Sequence, residues 1–153
     1  GERFLPGIYH EDEDFTPRLF ARSGRLISTN LIVNAYYQRQ ESIVNSGDSA
    51  RIKKRFSDML VVIDRLEAHE KSEEELCRYA FRRRKEQFAL SVVYQAMRLL
   101  PDKRMVADVL RQLSDRRCWP LPKARYTWRY SLFRHLTDHE WKINMLRQLL
   151  KRK

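Results

Sequence analysis

The chain has 153 residues, enough for one domain with a real core, and its 42% apolar content and three tryptophans exclude a disordered segment. Lys and Arg number 31 against 20 Asp and Glu, so the net charge is +11, and such a surface attracts polyanions: nucleic acid, anionic lipid or nucleotide diphosphates. The only cysteines, Cys77 and Cys118, lack zinc-site spacing and are too few for a disulfide framework, which fits a reducing compartment.

The first feature along the chain is GIYHEDEDFTPRLF, residues 7–20, where Glu11, Asp12, Glu13 and Asp14 stand in a row beside His10. DFTPRLFARSGRL reads as a short helix: Thr16 suits the N-cap, Pro17 the first helical position and Gly24 the residue past the end. The acids then lie just upstream of a helix N-terminus, where the helix dipole favours negative charge by about 1 kcal/mol or less. That accounts for one or two of them, not four.

RLISTNLIVNAYYQRQ follows. Its Ile, Leu, Val and Tyr predict a strand, or two short ones, over residues 26–38. A lone short strand needs partners, so this one implies strands upstream or in a second copy. NSGDS is a turn that ends in a cap, Asp48 or Ser49.

The rest reads as helix. Ile52, Phe56, Met59, Ile63 and Leu66 recur on one face. Ser72 with Glu75 matches a capping box and opens a helix that carries Leu76, Tyr79, Phe88, Val92 and Leu99 and stops before Pro101. A further helix follows over DKRMVADVLRQLSDRR, with Val106, Val109, Leu110 and Leu113 inward. WPLP breaks it, YTWRYSLFRHL forms a shorter one, and DHEWKINMLRQLLKRK, capped by Asp138, closes the series. The fold class is therefore mainly α (α+β): a short N-terminal helix and a β segment, then a bundle of about five helices. Residues 1–46 and 47–153 are read as two units.

Chemistry is less explicit. There is no Gly-rich phosphate loop among four glycines. His10, Glu11 and Asp12 could touch a metal, but adjacent residues rarely make a site without ligands from other segments. His135 and His139 flank a helix boundary and read as surface residues. A carboxylate on a loop ahead of a helix can serve as a general base or simply be solvated; spacing does not separate the two.

Two phrases taken together resemble the C-terminal part of bacterial family-2 glycosyltransferases, enzymes with a nucleotide-sugar-binding GT-A fold that build capsules, lipopolysaccharide and exopolysaccharide. Phe4, Gly7, Glu11, Asp12 and Leu19 match the family phrase F-x-x-G-x-x-x-E-D followed by Leu or Met, and Tyr36, Tyr37, Arg39, Ser42 and Ile43 match Y-Y-x-R-x-x-S-I. WPLPKARYTWRYSLFRHL looks like the tail phrase of many members, more loosely. The resemblance covers residues 4 to about 45. It implies that Asp12 is the general base on the acceptor hydroxyl, that Glu11 supports it through the acceptor, and that Arg39 lies near the diphosphate. Residues 1–46 would then be the edge of the catalytic domain and a remnant of a GT-A α/β enzyme.

The family's N-terminal half, which holds the nucleotide-binding sheet and the metal-binding Asp-x-Asp for Mg²⁺ or Mn²⁺, is not in this chain. Gln40 and Glu41 also depart from the residues many members carry there. The expectation is a C-terminal fragment whose start, Gly1 rather than Met, was cut or processed, inactive by itself and without a cofactor of its own. Partners would be a nucleotide-sugar donor and a glycan or lipid-linked acceptor, in the bacterial cytoplasm at the inner face of the plasma membrane. FRRRKEQF and RQLLKRK place cations beside Phe and Leu and suggest peripheral membrane contact. Two other classes compete: a basic helical module for nucleic acid, disfavoured because its cations are spread over all helices and no reading signature occurs, and a helical interaction domain that joins subunits.

Overall fold

The computed structural model describes residues 1–32 and 48–151, leaving aside the side chains of residues 72, 150 and 151. It contains α1 (Glu11–Arg22), α2 (Ser49–Ser72), α3 (Glu75–Leu99), α4 (Lys103–Asp115), α5 (Trp128–Leu136) and α6 (Glu140–Lys151).

α2 and α3 form the centre. Only Glu73 and Glu74 separate them, so the two long helices fold back as an antiparallel pair. Lys85 of α3 reaches Glu70 of α2, and Leu100 lies near Phe56 at the far end. Met59, Ile63 and Leu66 of α2 meet Phe81, Phe88, Val92 and Ala96 of α3, all buried. α4 adds Val106, Val109, Leu110 and Leu113, the inward set its periodicity predicts. α5 and α6 pack on α3 through Tyr130 and Ile143. α1 packs on both α2 and α3, so residues 11–22 join the helical body. Asp48, Asp102 and Thr127 cap α2, α4 and α5 with side-chain oxygens that accept from backbone N–H groups.

The structure corrects several expectations. No strand occurs among the described residues. Residues 26–32 carry no regular structure, and Ile27 and Ile32 are almost fully exposed. β propensity needs a neighbouring strand and a face to bury, and this stretch has neither within the described chain. The remainder of the expected strand lies outside the described residues.

α1 begins five residues before Thr16, so Thr16 and Pro17 lie inside it and the four acids occupy its first turn. Ser72 does not open α3: it ends α2, and the N-cap of α3 is Glu74. Leu76 and Tyr79 are exposed. Tyr79 is nine positions from Phe88, half a turn around a helix of 3.6 residues per turn, so both cannot face the core. Asp138 lies two residues ahead of α6, and its carboxylate takes Lys142 Nζ at 2.8 Å.

Candidate functional site at the start of α1

The segment before α1 is clamped onto α2. Tyr9 N–H donates to Asp58 Oδ2 at 2.9 Å, and Lys54 Nζ donates to Gly7 O at 2.7 Å and to Asp58 Oδ2 at 2.6 Å. Gly7 takes a left-handed φ of 77°, which only glycine adopts without cost. His10 takes one as well, at 62°, and turns the chain into α1; its carbonyl accepts from Glu13 N–H at 3.1 Å. Arg55 Nε donates to His10 Nε2 at 3.2 Å, so the imidazole is neutral with its proton on Nδ1.

Burial, then Arg55, holds His10 below its ordinary value of 6.5, against the opposing pull of Asp12 and Glu11. As pH falls the unfolded chain takes the proton first. The stability contributed by neutral His10 is therefore full above 6.5 and is lost as pH drops. The urea midpoint is expected to fall between about pH 8 and pH 5, and less so in His10→Asn, which tolerates the same backbone. Equal slopes in the two proteins would refute this.

The fold sorts the four acids into two classes. Asp14 is fully buried and accepts from Arg18 Nη2 at 2.9 Å and from Arg65 Nε at 2.8 Å. Glu13 pairs with Arg84 of α3. Burial pushes the Glu13 carboxyl above its ordinary range, with Arg84 opposing and Asp12 adding to the rise. Glu2 braces the same region from below through Arg18 and Arg22. Glu11 and Asp12 remain exposed and make no ion pair among the described residues.

An apolar groove of about 440 Å³ runs between α1 and α3, lined by Thr16, Pro17, Phe20, Leu76, Ala80 and Arg84. Asp12, Thr16 and Phe20 are successive i, i+4 positions, so the Asp12 end of α1 continues the line of this groove.

The structure thus places Glu11 and Asp12 side by side at an accessible helix start. Arg39 lies outside the described residues, as do Tyr36, Tyr37, Ser42 and Ile43. Among the described residues no group of three or more His, Cys, Asp or Glu could hold a metal ion, and His135 and His139 are exposed. Sequence reasoning missed Arg55, Arg65 and Arg84. Each lies 45 to 71 residues from its partner, so no local spacing marks it.

What the fold defines is a helical domain that presents two solvent-facing carboxylates on a braced helix start. No family model, curated protein or solved structure matches the chain.

Proposed function

We propose that this chain is the C-terminal region of a nucleotide-sugar-dependent glycosyltransferase of the family its two phrases resemble. Asp12 takes the proton of an acceptor hydroxyl while that oxygen attacks the anomeric carbon and the nucleoside diphosphate leaves with the bonding pair. Glu11 orients the acceptor, and Arg39 lies near the departing diphosphate. The groove between α1 and α3 receives the part of the acceptor away from the reacting hydroxyl. Mg²⁺ or Mn²⁺ belongs to the upstream nucleotide-binding half that the resemblance implies, and the setting is the inner face of a bacterial plasma membrane.

The observation that supports this reading is the sorting of the acids. The family phrase assigns roles to Glu11 and Asp12 and none to Glu13 and Asp14. The latter two are bound to Arg84, Arg18 and Arg65, while the former two face solvent. The two acids to which the phrase assigns roles are thus the two that a substrate can reach.

The test is nucleoside diphosphate release from a panel of nucleotide sugars with glycan acceptors. A polypeptide that joins this chain to its upstream half is expected to turn over, and residues 1–153 alone are not. Transfer by residues 1–153 alone would overturn the division of labour. No transfer by the joined polypeptide would shift the reading to a basic helical module that binds nucleic acid or a protein partner.

A further inference from the structure

We infer that α5 and α6, both packed on α3, offer a docking surface for an anionic lipid bilayer. Each helix is apolar on two sides. α5 packs Tyr130 and Phe133 against the core and leaves Trp128, Leu132 and Leu136 exposed, three residues at i, i+4, i+8. α6 packs Ile143 and Leu146 inward and leaves Trp141, Met145 and Leu149 exposed at the same spacing. Trp128 is 71% and Trp141 62% exposed. A helix that is apolar on both sides belongs between two apolar phases, and here the fold supplies only one.

Charge decides what covers the other side. Residues 116–137 contain no Asp or Glu, and they hold Arg116, Arg117, Lys123, Arg125, Arg129 and Arg134. Arg116 pairs with Asp64, but Lys123, Arg125 and Arg129 are exposed and make no ion pair among the described residues. The Arg129 guanidinium lies 5.5 Å from the Trp128 ring centre and the Lys142 ammonium 5.8 Å from that of Trp141. Trp128 with Arg129 beside it suits the boundary between acyl chains and anionic headgroups: the ring enters the interface and the guanidinium, which makes no ion pair among the described residues, meets phosphate, whereas Lys142 is held by Asp138. A second copy, also at +11, would be repelled by the same cations.

Lys142 Nζ donates to His135 O at 3.0 Å and pairs with Asp138, which ties the end of α5 to the first turn of α6. The groove at α1 and α3 is apolar as well, but it adjoins the exposed Glu11 and Asp12, which repel anionic headgroups. The segment FRRRKEQF, which the sequence also suggests for membrane contact, offers a bilayer neither of its phenylalanines. Phe81 and Phe88 are buried, Arg82 and Lys85 pair with Glu70, Arg84 pairs with Glu13, and Arg83 lies over the Tyr126 ring. This docking role does not depend on sugar transfer.

The purified chain is expected to co-sediment with phosphatidylglycerol–phosphatidylcholine vesicles at low salt, to be released by high salt, and to ignore pure phosphatidylcholine. Combined Trp128→Ala and Trp141→Ala is expected to weaken binding by at least about tenfold while circular dichroism stays that of the parent. Phe20→Ser with Leu76→Ser, at the other apolar site, is expected to leave binding unchanged. Tryptophan emission should shift to the blue on vesicles and lose that shift in the double Trp variant, because Trp119 is engaged internally with Thr137 O. Absence of vesicle binding by the folded chain would overturn the proposal. So would loss of binding in the Phe20, Leu76 variant alone, or concentration-dependent dimerisation abolished by the Trp128, Trp141 changes.

Discussion

On the proposed sugar-transfer role, Asp12→Asn is expected to lower kcat of the joined polypeptide by at least about a hundredfold, the lower end for loss of a positioned general base. KM for the acceptor should change little, because the amide keeps the shape and hydrogen-bonding reach of the carboxylate and loses only its capacity to take a proton. Fold stability should also change little, since Asp12 is exposed and makes no ion pair among the described residues. Glu13→Gln is the matched control. It lies one residue away and disturbs a bridge to Arg84, yet it has no part in proton transfer, so its effect on kcat is expected to stay below about tenfold. Steady-state kinetics with both variants decide the matter. A near-normal kcat for Asp12→Asn would remove Asp12 from the mechanism, and equal losses in both would reassign the acids to structure.

Asp14→Ala is expected to destabilise the fold by about 3 kcal/mol, whatever the activity of the chain. The Asp14 carboxylate is fully buried and accepts from two guanidinium groups, Arg18 on its own helix and Arg65 on α2. Removing it leaves Arg18, itself 7% exposed, short of its buried counter-charge. The lower part of the usual range applies because Arg18 keeps Glu2 and the Arg3 carbonyl, and because Arg65 reaches solvent. Urea unfolding should show a lower midpoint at an unchanged slope. A loss below about 1 kcal/mol would show that the N-terminal segment and α1 are held to the helical body by apolar contacts, Ile8 and Ala21 among them, rather than by this carboxylate.

These two neighbouring acids show how one helix turn carries both a buried and an exposed carboxylate. Asp12 and Asp14 are two residues apart, about 200° around the helix, so one faces the body and the other faces solvent. Their burial follows from which side of α1 meets α2. The identical side chains and the unbroken run of four give no sign of it.

The inward faces of α2 and α4 were legible from local periodicity because 3.6-residue repeats and caps act within a few residues of themselves. Met59, Ile63 and Leu66 line up on α2, and Val106, Val109, Leu110 and Leu113 do so on α4. α1 was misplaced at its start. Thr16–Pro17 is a good helix opening by local rules, and the true opening uses a left-handed His10 held by Arg55 from α2. The face of α3 was read only in part. Phe88 and Val92 are buried, but the large side chains of Leu76 and Tyr79 drew the expected face toward positions that the core does not reach.

The sequence by itself therefore determined the helical class, the order of the helices and most of the buried face of the later ones. Each of those depends on residues within one or two turns of each other. Only the tertiary structure decided which acids are braced and which are offered to solvent, which cations of α3 are already paired, and that α5 and α6 keep a second apolar side uncovered. Those outcomes depend on partners up to 71 residues away, brought together by packing of the core rather than by any local spacing.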